Sequence, residues 1–384
     1  MTVTYESTQT VPSATAGSLT ALHLRPGERV RVRSLEEISR TLDEQGRLEG
    51  LPFMPEMARW CGRVMTVDTR ADKTCDSYYR IRKLERTVHL SGVRCDGAAH
   101  GGCQAACLTY WKEAWLERSQ PRRRGRRPAA TASAPAAGPA PAPEPQAPPQ
   151  SPPADDGDAR DAMLARLQTA AIVQPATAEA EPTYTCQATE LVRCGPMLSR
   201  RDLSQYVQDA RNWSARKVVR TGVIDFFNFW QMVNDRLLPD HKPIQGGRYY
   251  PFVHGRLPVG TTPSDRLDLE VGEWVRIKTR DEIMATLDER NCNRGLSFDP
   301  EMTNYFGQIA RVHARVNRIL NEQTGTMIEL KTDCVVLQDV VCRADYHRLC
   351  TRKTYSFWRE VWLERVSPEE VAAMSERIVA PCGG

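Results

Sequence analysis

The sequence predicts a mixed α+β, mainly β protein that contains the same small β-barrel domain twice. Three observations lead to this prediction: a long internal repeat, a period-two alternation of apolar residues at the start of each copy, and a Pro/Ala-rich segment between the copies. Such alternation is typical of a half-buried strand, and a duplicated unit of roughly 90 residues is a domain rather than a solenoid repeat. The predicted organisation is a disordered N-terminus over 1–22, a first repeat domain over 23–118, a linker over 119–182, a helical connecting region over 183–267, a second repeat domain over 268–366, and a C-terminal helix and tail over 367–384.

The two copies align without a gap over their opening blocks. Gly27–Gly62 corresponds to Gly272–Gly307 at an offset of 245 residues, and both blocks begin Gly-Glu-x-Val-Arg. After a two-residue change of length, Arg94–Arg118 corresponds to Val341–Arg365 at an offset of 247, and both blocks end Trp-Leu-Glu-Arg. Self-similarity of this extent indicates a duplication.

Each copy predicts a strand that is followed at once by a short helix. Val30 and Val32 alternate with charged residues, and Ser34 with Glu37 three residues later forms a capping-box pattern, which the second copy repeats from Thr279. Further runs rich in Val, Ile and Thr predict strands at Arg63–Asp68, Thr87–Val93, Gln308–Val316 and Thr326–Val341. The opening Gly-x-x-Val-x-Val resembles the first strand of SH3-like barrels. The predicted fold is therefore two homologous SH3-like small β-barrel domains, each with an inserted short helix.

The composition favours a cytoplasmic globular protein. Of the 384 residues, 41% are hydrophobic and 26% are charged, and 52 Lys and Arg against 48 Asp and Glu leave a net charge of only +4. This balance does not require a nucleic-acid partner. No run approaches the ~20 apolar residues of a membrane span, and the N-terminus lacks the pattern of a secretory signal. We expect the 12 cysteines to be thiols or metal thiolates rather than disulfides.

The region between the repeats combines a linker with a helix. The segment 119–182 opens with the basic run Pro-Arg-Arg-Arg-Gly-Arg-Arg and continues with dense Pro and Ala, which predicts a semi-extended linker. From Ser199 onward, apolar residues at spacings of three and four predict helices. Three interpretations of the apolar helix stay open: packing on the second barrel, docking of a protein partner, or peripheral membrane contact through 216–235.

A pattern of cysteine and histidine recurs in both repeats and predicts a metal site. Cys95, His100 and Cys103 in the first repeat align with Cys342, His347 and Cys350 in the second. Thiolates and an imidazole in one short loop suit Zn²⁺, the first choice of cofactor, or an iron–sulfur cluster. The alternatives are inert core cysteines or redox-active thiols.

The predicted ligand sets differ between the repeats. The first set is Cys95, His100, Cys103 and Cys107, with Cys61 and Cys75 as alternates. In the second repeat Thr354 and Phe306 replace Cys107 and Cys61. We therefore expect a weaker second site of Cys342, His347 and Cys350, completed by Cys334 or Cys292.

Two other features recur in both copies. Glu56 and Glu301 follow a proline at equivalent positions, where a carboxylate can be a metal ligand, a general base, or a favourable charge at a helix start. Trp pairs at a spacing of four precede the closing Glu-Arg of each repeat, as core anchors or, alternatively, as a platform for an aromatic ligand.

The fragment Cys95-Asp96-Gly97 followed by His100 resembles the CDGSH iron–sulfur motif, which implies a cluster held by three cysteines and one histidine. His100 stands one position later than the motif histidine, and the upstream Cys-x-Cys pair is absent. The whole chain also resembles an uncharacterised bacterial group with this tandem arrangement, a resemblance that implies no activity.

The sequence contains no GxSxG, HExxH, P-loop or GxGxxG motif. The function that it predicts is a metal-binding tandem-domain protein, either a metal-dependent enzyme or an accessory protein that acts on a small molecule. The alternative is an interaction adaptor that uses its SH3-like domains on an unknown protein partner without a metal.

Overall fold

Two antiparallel five-stranded sheets, one in each repeat, build the fold. The computed structural model describes residues 21–119, 157–177, 180–237, 248–367 and 369–371. The first repeat contains β1 (Arg29–Val32), α1 (Leu35–Ser39), β2 (Arg47–Leu48), β3 (Leu51–Pro52), β4 (Val64–Arg70), β5 (Lys73–Cys75), β6 (Ile81–Lys83), β7 (Thr87–Arg94), β8 (Leu108–Lys112) and β9 (Leu116–Arg118), with 3-10 helices at Pro55–Trp60 and Glu113–Trp115.

The chain between the two repeats adds four helices and two short strands among the described residues. They are α2 (Gly157–Ala170), β10 (Ile172–Gln174), β11 (Thr183–Tyr184), α3 (Gln187–Cys194), α4 (Ser204–Asn212) and α5 (Ala215–Leu237). The second repeat contains β12 (Trp274–Ile277), α6 (Arg280–Met284), β13 (Cys292–Asn293), β14 (Leu296–Ser297), β15 (Ile309–Arg315), β16 (Arg318–Leu320), β17 (Met327–Glu329), β18 (Cys334–Leu337), β19 (Trp358–Arg359) and β20 (Leu363–Arg365), with 3-10 helices at Pro300–Tyr305 and Glu360–Trp362.

The two sheets have the same strand order and an equivalent register. The orders are β8-β7-β4-β1-β9 and β19-β18-β15-β12-β20. Val30 lies opposite Met65 and Arg118, and Val275 lies opposite Ala310 and Arg365. These pairs are related by the same offsets that align the two sequence copies. The repeated sequence therefore forms two sheets in which equivalent residues occupy equivalent positions.

The predicted strand and helix at the start of each repeat are present. The burial of β1 alternates residue by residue, and the Ser34 hydroxyl accepts a hydrogen bond from the Glu37 amide while the Glu37 carboxylate accepts one from the Ser34 amide. In the second repeat the Glu282 carboxylate accepts from both the amide and the hydroxyl of Thr279. Each cap ends the first strand and starts the helix at the predicted residue.

The tryptophan pairs are core residues. All four side chains are fully buried: Trp111, Trp115, Trp358 and Trp362. The Trp115 indole N–H donates to the Thr41 hydroxyl over 3.2 Å, and the Trp362 indole N–H donates to the Thr286 hydroxyl over 2.9 Å. The second tryptophan of each pair therefore bonds the turn behind the short helix to the segment that precedes the last strand of the sheet.

The predicted linker needs a correction. Residues 120–156 lie outside the described residues, but 157–177 contain helix α2 and strand β10. Helix α2 packs on the first repeat through three apolar residues, Met163, Leu164 and Leu167. Of these, Leu167 is buried in the core of that repeat. The average composition of 119–182 concealed these few apolar residues. Most of the predicted N-terminal tail (1–20) and C-terminal tail (372–384) also lies outside the described residues.

The helices predicted from Ser199 onward are α4 and α5. The α5 side chains Val219, Val223 and Phe226 are 66%, 64% and 69% exposed. Near its start, Lys217 lies over the Trp213 ring and forms an ion pair with Asp345 of the second repeat. Within the described ranges, no helix is both long and apolar enough to cross a membrane. The described residues therefore cover the apolar face of α5 only in part.

Each repeat sends a hairpin against a loop of the other repeat. We call Lys73–Lys83 (β5 and β6) the first hairpin and Arg318–Glu329 (β16 and β17) the second hairpin. The loops are the first loop, Cys95–Cys107, and the second loop, Cys342–Thr354.

Equivalent backbone amides make the two hairpin–loop contacts. The Cys75 amide donates to the Cys350 sulfur over 3.1 Å, and the Leu320 amide donates to the Cys103 sulfur over 3.3 Å. Residues 75 and 320 correspond in the repeat, and so do residues 103 and 350. Each loop is therefore in contact with a hairpin that lies more than 200 residues away in the sequence.

Candidate functional site

Three possible metal ligands of the first repeat converge on one point. Glu56 lies on the 3-10 helix Pro55–Trp60, Cys95 follows β7, and His100 lies in the first loop. The Cys95 sulfur is 3.1 Å from Glu56 Oε1 and 3.6 Å from His100 Nε2, and His100 Nδ1 is 3.7 Å from Glu56 Oε1. All three ligand atoms lie within 4.8 Å of one another. We call this group the first trio.

A glycine makes the turn of the first loop possible. Gly97 has φ +73°, and a Cβ at this position would lie 2.0 Å from the carbonyl oxygen of Cys103. The Gly97 carbonyl accepts hydrogen bonds from the amides of His100 and Gly102, and its amide donates to the Cys95 sulfur. Only glycine has room for this close backbone approach. The turn places His100 back over Cys95.

Burial sets the protonation of the first trio. The side chains of His100 and Glu56 are only 2% and 3% exposed. Burial lowers the pKa of His100, so its imidazole is neutral at neutral pH. Burial, together with the adjacent Glu56 carboxylate, raises the pKa of the Cys95 thiol well above its usual range. In the absence of a cation the thiol is therefore protonated and donates to the carboxylate.

Two polar atoms of the first trio are left without a hydrogen bond. Glu56 Oε2 and His100 Nδ1 are buried and have no hydrogen-bond partner among the described residues. Leaving such groups unpaired costs free energy. A cation between the carboxylate, the imidazole and the sulfur would compensate this cost and would favour the thiolate.

The second repeat builds the corresponding group from Glu301, Cys342 and His347, which we call the second trio. Its ligand atoms also lie within 4.8 Å of one another. The Cys342 sulfur is 3.6 Å from His347 Nδ1, so this histidine presents the opposite ring nitrogen to its cysteine. On its other side, His347 Nε2 lies 3.5 Å from Asp299 Oδ2. The second trio therefore has an additional carboxylate beside its histidine.

The second trio is also more fully hydrogen-bonded than the first. The Glu301 carboxylate accepts from the backbone amides of Arg343 and Tyr346. Burial raises the pKa of Glu301, and burial together with Glu301 raises the pKa of Cys342 well above its usual range. Glu301 thus shapes the second loop directly, whereas Glu56 leaves one oxygen unpaired.

Two of the four predicted ligands of the first repeat do not join the trio. The sulfur of Cys103 accepts a hydrogen bond from the Leu320 amide. Cys107 lines a cavity of about 40 Å³ together with Cys95, His100 and Cys103. The fold therefore gathers all four predicted residues around one cavity, but it brings only Cys95 and His100 within mutual ligand distance of a third group.

The four remaining cysteines of the predicted ligand sets lie in four other places. Cys61 is buried in the core of the first repeat, and Cys75 lies in the first hairpin against Cys350. Cys334 is buried in β18, and the Cys292 thiol donates to the Arg290 carbonyl. Among the described residues, none of these four belongs to a group of three convergent ligands.

The predicted ligand sets do not include every residue that the structure places at these sites. Glu56 and Glu301 were open alternatives, and the signal that selects them is their recurrence at equivalent positions, which Cys107 lacks. Cys186, at the start of α3, lines the same small cavity as Cys107, and Asp299 lies beside His347. Neither recurs in the other repeat, so no sequence pattern singled them out.

A larger cleft lies beside the first trio. Its volume is about 690 Å³, and its lining includes Glu56, Asp96, Tyr184 and Arg318. Arg318 comes from the second hairpin, so both repeats contribute to this cleft. The first trio therefore has neighbouring space of the size that small-molecule sites occupy.

The fold and the sites define an α+β protein with two Glu–Cys–His groups in equivalent positions. Comparisons with protein-family models, with curated proteins and with solved structures found no match to this chain. The functional argument consequently depends on the geometry of the two trios.

Proposed function

We propose that the protein binds Zn²⁺ at two related sites, the first trio and the second trio. The observation that carries this proposal is the recurrence of the same three ligand types at equivalent positions of both repeats, with convergent ligand atoms in each. Thiolate, imidazole and carboxylate are the usual ligands of zinc. An iron–sulfur cluster is less well supported, because it is normally held by more thiolates than the single one in each trio.

The first site has the features of a zinc site that takes part in chemistry. Three protein ligands leave a coordination position for water or substrate, and Glu56 borders the large cleft. Zinc supplies Lewis acidity and lowers the pKa of a bound water. Arg318 and Tyr184 would then orient a small molecule in the cleft. We therefore favour a metal-dependent activity or a metal-dependent accessory role on a small molecule over a purely structural site.

We also infer that each sheet belongs to an SH3-like small barrel. Five short antiparallel strands with a helix inserted directly after the first strand support this interpretation. In this arrangement the barrels are scaffolds that present the two loops and their trios.

The alternative, an interaction adaptor that needs no metal, is favoured by one observation. The exposed apolar residues Val219, Val223 and Phe226 form a stripe along α5, and such surfaces often bind other proteins. The two functions differ in one measurable property, the metal content of the purified chain.

The test is metal stoichiometry in matched cysteine variants. We expect the full chain, refolded with or titrated by Zn²⁺, to bind one ion per trio, and the Co²⁺ form to show a thiolate charge-transfer band. Cys95→Ser and Cys342→Ser should each remove one ion, and the double variant should remove both. Cys107→Ser and Cys61→Ser are the matched controls and should retain both ions.

Other outcomes are equally informative. A loss of metal in Cys107→Ser equal to that in Cys95→Ser would replace the trio by the four-residue site predicted from the sequence. A chain that binds neither Zn²⁺ nor Co²⁺ would refute the metal proposal and leave the adaptor.

A further inference from the structure

We propose that Cys75 and Cys350 are a redox-active dithiol, which a hydroperoxide oxidises to a disulfide that joins the two repeats. This inference does not depend on metal binding, because neither cysteine belongs to a trio.

The two sulfur atoms are already in contact. They lie 3.0 Å apart, and the Cys75 amide donates to the Cys350 sulfur over 3.1 Å. A disulfide has a sulfur–sulfur bond of about 2.05 Å, so closing it requires an approach of about 1 Å. Cys75 is 8% exposed and Cys350 is 1% exposed. The pair is therefore pre-positioned and shielded from bulky thiols, while a small peroxide needs little room.

Hydrogen-bond donors surround the Cys350 sulfur. The Cys75 amide donates to it, and the Thr74 hydroxyl lies 4.0 Å from it. The Arg352 guanidinium contacts the Cys75 carbonyl over 3.5 Å, and its charge is paired with Glu322. Donors near a sulfur stabilise its anionic, reactive form. Cys350 is therefore the sulfur that attacks, whereas contact with Cys350 and burial raise the pKa of the Cys75 thiol.

The other half of the molecule shows that packing alone does not require two thiols here. Leu320 occupies the position equivalent to Cys75, and its amide makes the same contact to Cys103, the equivalent of Cys350. The hairpin–loop contact therefore forms with an apolar residue as well as with a cysteine. The thiol of Cys75 is an addition that only one of the two equivalent contacts has.

The chemistry balances with one hydroperoxide. The sulfur of one cysteine attacks the peroxide, a sulfur–oxygen bond forms, the oxygen–oxygen bond breaks, and the leaving oxygen departs as an alcohol or water. The second sulfur then displaces hydroxide from this sulfenic acid, which forms the disulfide, and its proton leaves with the hydroxide as water. The two sulfurs lose two electrons in total, and the peroxide gains them.

The disulfide would fasten the first hairpin to the second loop. It would close a span of 275 residues, and cross-links over long spans restrict the unfolded chain most. The second loop also carries Cys342 and His347. Oxidation would therefore restrict the loop that bears the second trio without using either of its ligands.

The experiment uses the natively folded full chain with hydrogen peroxide as the probe. After peroxide treatment and alkylation of the remaining thiols, we expect peptide mass spectrometry to show one dominant cross-link between Cys75 and Cys350. Dithiothreitol should reverse it once the chain is unfolded, because burial shields the pair from thiols in the native state. The chain should lose two titratable thiols per molecule while its circular dichroism stays native.

Matched variants test the geometry. Cys75→Ala and Cys350→Ala should each abolish the cross-link, and Cys103→Ala should leave it unchanged. Leu320→Cys should install a second cross-link, to Cys103, because it recreates the same contact in the other half. Since the main readout comes from the wild-type chain, a variant that fails to fold does not decide the result.

Several outcomes would overturn the proposal. They are unchanged thiols after peroxide treatment, cross-links spread over many cysteine pairs, or irreversible oxidation of Cys75 without a link to Cys350. A cross-link that forms equally well in Cys342→Ser and in the presence of a chelator would show that the dithiol reacts whether or not a metal is bound. The two proposals can therefore fail independently.

Discussion

The two repeats build equivalent trios beside equivalent sheets, but they surround them differently. In the first repeat one oxygen of Glu56 and one nitrogen of His100 are buried without a hydrogen bond among the described residues, and a large cleft adjoins the trio. In the second repeat Glu301 accepts two backbone hydrogen bonds and Asp299 lies beside His347. The comparison shows that the first trio keeps unpaired polar atoms beside an open cleft, whereas the carboxylate of the second trio is hydrogen-bonded to its own loop.

The largest expected effect tests a buried ion pair that both repeats contain. Arg70 pairs with Glu113 over 2.8 Å, and Arg315 pairs with Glu360 over 3.2 Å. The Arg70 side chain is 8% exposed and that of Arg315 is 27% exposed. Arg70 keeps a second partner in Asp72 and Arg315 keeps one in Asp333, each over 2.6 Å, so neither cation is left alone when its glutamate is neutralised. The loss of a hydrogen bond between charged groups costs about 1.5–3 kcal/mol. We expect Glu113→Gln to lower the free energy of unfolding by this amount and Glu360→Gln to lower it less, because Arg315 is more exposed, as measured by urea denaturation.

Equal losses in these two variants would show that water reaches Arg70 and Arg315 to the same extent. The surface pair of Arg31 and Glu117 provides a control, since Glu117→Gln should change the free energy of unfolding by less than about 1 kcal/mol.

The next prediction compares the two carboxylates as ligands. Glu56→Gln should weaken zinc binding at the first site by about 100-fold or more, because even partners of metal ligands contribute 10–100-fold. It should leave the fold intact, since one Glu56 oxygen has no hydrogen bond to lose. Glu301→Gln should weaken the second site and also destabilise the second loop, because a single amide oxygen replaces two acceptors. Zinc titration and thermal unfolding of both variants distinguish the two roles, and identical behaviour would contradict the comparison.

A smaller effect concerns pH. Burial lowers the pKa of His89 to about 4, and its Nδ1 is bonded to the Thr109 carbonyl. The unfolded chain has an ordinary histidine pKa of about 6.5, so between pH 4 and 6.5 the unfolded state binds more protons than the folded state. Stability is therefore complete above pH 6.5 and is lost as the pH falls, by about 2 kcal/mol between pH 7 and 5.

The second repeat supplies the control for this pH effect. Val336 occupies the position equivalent to His89 in the sheet. His89→Val should therefore reduce the loss of stability between pH 7 and 5 by most of that amount, as measured by urea denaturation at each pH. If His89→Val leaves the pH dependence of the free energy of unfolding unchanged, other groups cause the acid sensitivity.

The smallest expected effect concerns the turn of each loop. Gly97 in the first loop corresponds to Ala344 in the second, and Ala344 adopts φ +63°. This left-handed conformation is strained for alanine, whereas glycine adopts it readily. Glycine also makes the unfolded chain more flexible, and this entropy offsets part of the gain. Ala344→Gly should consequently stabilise the chain by no more than about 1 kcal/mol. The reverse change, Gly97→Ala, should destabilise it, because the added Cβ meets the Cys103 carbonyl. A tolerated Gly97→Ala would show that the first loop is not held as the structure describes.

Much of the local architecture could be predicted from the sequence. The first strands, the helices behind Ser34 and Thr279, and the helices after Ser199 follow from the periodicity and capping of neighbouring residues. The strand predicted over Thr326–Val341 instead divides into β17 and β18, which the irregular residues 330–333 separate. Helix α2 was missed because proline and alanine dominate the average composition around it.

The sequence by itself determined the positions that recur: the two sheets, their caps, and the cysteine and histidine of each trio, since these lie within a few residues of one another. Only the tertiary structure decided what completes each group. Glu56 contacts Cys95, which lies 39 residues away in the sequence. The sulfurs of Cys103 and Cys350 accept hydrogen bonds from hairpin amides that lie 217 and 275 residues away. Periodicity records only what neighbouring residues do. The convergence of distant groups depends on how the two repeats pack, and no local pattern encodes that packing.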